Sequence, residues 1–179
     1  EDEDFDVLKR HGVTVACCPA SNLKLASGYA NVPKMLESGI NVALGTDGAA
    51  SNNNLNIMQD MYLFGVVYKG YFRDPTIITP AEVLHAATRA GALSQGRDDS
   101  GLLAVGMRAD LCVLNTDTPQ FTPMTSAACN VVYAAQGADI RMTMVDGEIL
   151  YRDGEFKTID IEKVKAEVQR RTDSILSRL

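Results

Sequence analysis

The sequence predicts an α/β fold, from three features of its 179 residues. Apolar runs at 13–18 and 42–45 read as buried strands. The segment 32–37 between them carries helical spacing, and this β/α rhythm usually yields a parallel sheet. After residue 97 the pattern changes to short strands and turns, followed by an amphipathic helix.

Each element has its own warrant. Over 55–71, Leu55, Met58, Met61, Tyr62 and Gly65 recur at helical spacing. Thr79 before Pro80 is a helix start, and Val83, Leu84 and Ala87 follow on one face. Both segments are expected to cover the sheet. Short strands are expected at 111–115, 130–134 and 141–145, and Asp146-Gly147 is the tight turn of a hairpin into 148–151. Ile161, Val164, Val168, Ile175 and Leu179 line one face of a terminal helix over 161–179. There is no internal repeat or low-complexity tract. The expected organisation is 1–97, 98–157 and 158–179.

Composition excludes several classes. A hydrophobic content of 46% supports a globular core. Seventeen Lys and Arg against 23 Asp and Glu give a net charge of −6, which argues against a nucleic-acid partner, since that needs a basic stripe. No apolar stretch approaches the ~20 residues of a membrane helix. The acidic start Glu1-Asp2-Glu3-Asp4 is unlike a signal peptide, so a cytoplasmic location is expected. Cys17 and Cys18 are adjacent while Cys112 and Cys129 stand alone, which offers neither a disulfide framework nor a CxxC zinc pattern; reduced core cysteines are expected.

The stretch LGTDGAASNNN, residues 44–54, sets one carboxylate, Asp47, directly after the second strand. Side chains at the carboxyl ends of parallel strands converge on one cavity, where barrel and doubly wound enzymes place their chemistry. The first strand ends likewise in a polar loop containing Ser21, Asn22 and Lys24. From the residues alone, a capping role for Asp47 is as good a reading as a functional one. Ser21 and Asn22, with Ser51 and Asn52, are expected to tie the two loops to backbone, with substrate contact as the lesser alternative. Lys24 reads as a solvated or salt-bridged loop residue.

Three segments resemble one family. CPASNLKLASG at 18–28, MLESGINVALGTDGAASNNNLN at 35–56 and GLLAVGMRADLCVLN at 101–115 are similar to the C-terminal part of the amidohydrolase superfamily. Within it, they most resemble the 5-methylthioadenosine/S-adenosylhomocysteine deaminase and chlorohydrolase group. The resemblance implies a C-terminal fragment of a (β/α)8 metal-dependent hydrolase barrel, with its last two strands and covering helices. Part of a small β-sandwich and a terminal helix would complete it. It implies a divalent metal, usually zinc, in the complete enzyme, with Asp47 both ligating that metal and taking a proton from the attacking water.

The family's other ligands, an HxH pair and histidines after the fifth and sixth strands, do not occur in this chain, nor does its catalytic glutamate. His11 and His85 each read as a surface or helix-packing residue, so the isolated chain is expected to hold no metal and to be inactive. Cys17 stands where relatives usually carry histidine in an HxP context, a departure that bears on loop detail and substrate. The implied reaction is hydrolytic deamination of a small-molecule purine nucleoside such as 5-methylthioadenosine or S-adenosylhomocysteine. The alternatives are a chlorohydrolase, a guanine or cytosine deaminase of the same superfamily, or a catalytically silent structural or binding fragment. An exposed sheet edge and uncovered apolar faces predict homo-oligomerisation.

Overall fold

A computed structural model describes residues 2–178; Glu1 and Leu179, included in the expectations above, lie outside the described residues. The chain divides into two compact units. One runs up to Met107 and takes in Asn115–Asp139; the other holds Arg108–Leu114 and the chain from Ile140 onward.

The first unit opens with α1 (Asp2–Arg10) and then β1 (Thr14–Cys17). Helices α2 (Pro19–Lys24) and α3 (Val32–Glu37) lead to β2 (Asn41–Leu44). β1 and β2 pair in parallel, Thr14 with Asn41 through to Cys17 with Leu44, so both strands end at the same level. Val42, Ala43 and Leu44 are all buried, as expected for a parallel strand covered on both faces. After β2 come α4 (Ala49–Asn52) and the long α5 (Ile57–Phe72). Then follow α6 (Pro80–Ala87) and α7 (Arg89–Ser94). Helices α3, α5, α6 and α7 pack against β2.

The caps explain several boundaries. Thr79 and Glu82 form a reciprocal capping box at the start of α6. The Asn56 side chain accepts from Met58 N at the start of α5. The core of this unit centres on Phe64, Tyr68, Val32, Val42 and Val83, all at most 2% exposed.

One expectation fails here. Residues 130–134 do not form a strand; they belong largely to a helix, α8 (Ala127–Tyr133), capped by the Ser126 side chain on Cys129 N. Val131, Val132 and Tyr133 favour strand locally, but Val132 is 1% exposed and lies against α5, so tertiary packing overrides the propensity. The close approach depends on Gly65. A Cβ there would sit 3.1 Å from Tyr133 and 3.3 Å from Val132. Gly101 answers a second tight spot: at φ +84° its missing Cβ would lie 2.7 Å from the Arg89 Cα.

In the second unit β3 (Leu111–Leu114), β4 (Ile140–Val145), β5 (Glu148–Arg152) and β6 (Glu155–Phe156) form an antiparallel sheet in chain order. Asp146 and Gly147 both have positive φ, as a two-residue hairpin turn requires. The last helix, α9 (Ile161–Leu176), is capped by Asp160 on Lys163 N and buries none of its residues. All four cysteines are free, yet only Cys17 is buried, so the expectation of core cysteines fails for Cys112 and Cys129. Cys112 lies on an exposed position of β3 and Cys129 on an exposed turn of α8. No described helix is long and apolar enough to cross a membrane.

Candidate functional site

The loops after β1 and β2 emerge side by side because the two strands are parallel and in register at Cys17 and Leu44. Gly45 N donates to Cys17 O at 2.9 Å, carrying the pairing one residue past the strands. The Cys18 thiol fills the space a Cβ on Gly45 would need, 3.3 Å away.

Asp47 follows two residues later in the left-handed region, at φ 61°. Asp tolerates that conformation better than most residues, though not without strain. Its side chain is oriented by donors: Ser21 Oγ gives a hydrogen bond to Oδ2 at 2.7 Å, and Gly48 N gives one to Oδ1 at 2.7 Å. The Ser21 hydroxyl, the Gly48 amide and, to a smaller extent, Ser51 hold its carboxyl below the usual carboxylate range, against a weaker opposing effect of desolvation. The carboxylate is exposed and ionised at neutral pH.

The other expected residues arrive in different ways. Ser21 is buried and bonds the Asp47 carboxylate itself instead of backbone. Asn22 acts through its main chain, donating to Cys18 O and accepting from Ser27 N, which shapes the first loop internally. Ser51 offers its carbonyl to Lys24 Nζ at 2.6 Å. Asn52 does tie to backbone, with Nδ2 donating to Thr46 O at 2.7 Å. Lys24 is exposed, as expected of a solvated loop residue, and does more than that. It reaches across to the second loop and bonds both Ser51 O and the Asn53 side-chain oxygen, so it also clamps the two loops together.

Asp60, a residue the sequence reading passed over, lies beneath these loops. It projects from α5 and is 0% exposed. Its Oδ1 accepts from Ala20 N at 3.0 Å and its Oδ2 from Asn52 Nδ2 at 3.2 Å. Burial pushes this carboxyl above the usual range, while the Ala20 and Asn52 donors pull it back. The sequence did hold a signal: Asp60, Phe64 and Tyr68 stand four apart, so the acid occupies the buried, otherwise apolar stripe of α5.

Cys17 is buried, with Sγ 3.5 Å from the buried Tyr68 hydroxyl, and burial pushes its thiol up. His11 and His85 are both exposed. Among the described residues no group of three or more His, Cys, Asp or Glu side chains is gathered to hold a metal.

Comparison with known proteins bears on this loop pair. The family model described as "Amidohydrolase family" matches residues 1–150. The chain belongs to the amidohydrolase family. The chain is 44% identical over 176 residues to the 5-methylthioadenosine/S-adenosylhomocysteine deaminase of Acetivibrio thermocellus, an alignment covering 98% of this chain and 41% of that protein. It is 42% identical over 178 residues to the 5'-deoxyadenosine deaminase of Methanosarcina mazei, covering 99% and 41%. Among solved structures it superposes on an adenosine deaminase from Xanthomonas campestris with bound zinc. The TM-score is 0.95 and the identity 29%, over 99% of this chain and 40% of that one. The chain thus spans about 40% of the length of these relatives.

Proposed function

We propose that this chain is the C-terminal portion of a metal-dependent aminohydrolase that converts the adenine of a small nucleoside, 5-methylthioadenosine or S-adenosylhomocysteine, to hypoxanthine with release of ammonia. The observation that carries the reading is Asp47: an ionised, exposed carboxylate on strained backbone at the end of a parallel strand, oriented by Ser21 and Gly48. The names of the deaminase relatives support the substrate class. On this reading β1 and β2 are the last two strands of an eight-stranded barrel, and the antiparallel sheet of the second unit is part of a small sandwich.

The Asp47 site fits one ligand of a divalent metal. Each oxygen already accepts one hydrogen bond and keeps a lone pair for a cation, and carboxylate oxygen is a ligand that zinc accepts. A bound metal supplies the Lewis acidity that makes water acidic near neutral pH. Asp47 would hold that metal from one side, accept the proton from the attacking water as its oxygen bonds to the ring carbon, and return it to the departing amine. Ser21 and Gly48 keep the carboxylate aimed through both transfers. The isolated chain brings one such ligand where a site needs three or four, so metal binding belongs to the complete enzyme. The outer edges of β1 and β2 have no strand partner among the described residues, which supports association with further barrel strands or with a second copy.

The test is ammonia release by the full-length, zinc-loaded enzyme. Turnover is expected with 5-methylthioadenosine or S-adenosylhomocysteine, accompanied by the adenine-to-hypoxanthine absorbance change. Turnover of a chlorinated triazine, guanine or cytosine with both nucleosides ignored would overturn the substrate assignment.

A further inference from the structure

We propose that Asp60 is the positioning residue of this site, fixing the pose of the Asp47 carboxylate from beneath by pinning both loops to helix α5. The inference rests on the reading of Asp47 as the reacting carboxylate and goes beyond it. The geometry is a bridge with two arms. One arm runs from Asp60 Oδ1 to Ala20 N, and the neighbouring Ser21 places its hydroxyl on Asp47 Oδ2. The other runs from Asp60 Oδ2 to Asn52 Nδ2, which also holds Thr46 O, the carbonyl preceding Asp47. Ala20 is thus the residue next to Ser21, which bonds Asp47, and Asn52 Nδ2 is one hydrogen bond from the carbonyl preceding Asp47, while α5 itself is anchored in the core by Phe64 and Tyr68.

The arrangement is costly unless it serves a purpose. A fully buried carboxylate gives up its hydration, and an apolar residue there would spare that cost. Two backbone-proximal donors 32 positions apart in the chain, Ala20 and Asn52, converge on it and are satisfied by it. With strained backbone at Asp47, a loop left to itself would relax, so a fixed point on a rigid helix is what keeps the acid in place.

Asp60→Asn keeps the shape but replaces one acceptor oxygen with a donor, so one arm of the bridge must break. In the full-length zinc enzyme, kcat is expected to fall about 10- to 100-fold with KM within about threefold, since the loss is felt in the aim of the acid and not in substrate binding. Cobalt substituted for zinc should show altered d–d absorption in this variant. Hydrogen exchange at Ala20 N and at Gly48 N, which is protected only while Asp47 holds its pose, should speed up about tenfold or more. Asn52→Ala, which removes one arm and leaves the buried acid, should repeat the pattern more weakly if Asp60→Asn folds poorly. Val83→Ala, a core truncation on α6, serves as the match for lost stability and should leave kcat, the cobalt spectrum and Gly48 exchange near wild type.

The exchange measurement needs neither metal nor substrate. A wild-type enzyme that ignores nucleosides would therefore sink the deaminase reading alone, while Gly48 exchange still decides the role of Asp60. Wild-type exchange at Ala20 and Gly48 in Asp60→Asn would overturn the proposal, and so would equal losses of kcat in Asp60→Asn and Val83→Ala.

Discussion

Replacing Asp47 with asparagine in the full-length, metal-loaded enzyme is expected to preserve the fold and collapse turnover. Asparagine keeps one oxygen for the metal and can still accept from Ser21, but it loses the negative charge and nearly all proton affinity. General acid–base transfer contributes roughly 10²- to 10⁴-fold, and weakened metal binding would add to the loss. Steady-state kinetics together with metal content at equal protein concentration checks it; an Asp47→Asn enzyme turning over at the wild-type rate would remove the carboxylate from the mechanism. The same group sets a pH trend. Its folded carboxyl sits below the ordinary 3.8, so the hydrogen bonds to its ionised form contribute above that value and fade as pH drops through the lower, folded one.

The largest effect on stability is expected from Phe64→Ala. Phe64 is 0% exposed and meets Tyr68 edge to face with ring centroids 5.8 Å apart, at the centre of the helix that carries Asp60. Emptying that position should cost about 3–5 kcal/mol, the range for truncating a buried phenylalanine. The thermal midpoint should fall by roughly 6–20 °C, using ~2–4 °C per kcal/mol for a chain of this size. Urea unfolding of wild type and variant gives the number directly. A loss below ~1 kcal/mol would mean that this core is not what supports α5.

How much of this could be read from the sequence differs by kind of interaction. The strands before the two loops were legible because continuous apolar runs bounded by polar turns have few other uses. Thr79-Pro80 with Glu82 announced α6 because a capping box is a local device. Helix α8 was misread because Val131, Val132 and Tyr133 carry strand propensity, and what holds the segment as a helix is the packing of Val132 and Tyr133 against Gly65, far away in the chain. The short helices α2 and α4 were missed because their Ser and Asn residues, next to Pro19 and Gly48, read as turn chemistry after a strand.

The candidate site shows the same division. Asp47 stood out because position after a strand is a local fact, and the family resemblance then gave it a role. Its supports did not stand out. Ser21 reaches Asp47 across 26 residues, Lys24 reaches Ser51 across 27, and Ala20 reaches Asp60 across 40. Such bonds follow from the parallel register of β1 and β2 and leave no pattern within either loop. They also give a physical reason for SNLKLASG and GTDGAASNN to occur together, since each loop supplies partners the other lacks.

The central claim, that Asp47 is presented to a divalent metal, is tested most directly by zinc-edge anomalous diffraction from crystals of the full-length enzyme. The expected result is one zinc with an Asp47 carboxylate oxygen in its coordination sphere, at about 2.0–2.2 Å, and Ser21 still bonded to the other oxygen. Zinc fully coordinated by other residues, with the Asp47 carboxylate outside its coordination sphere, would contradict it.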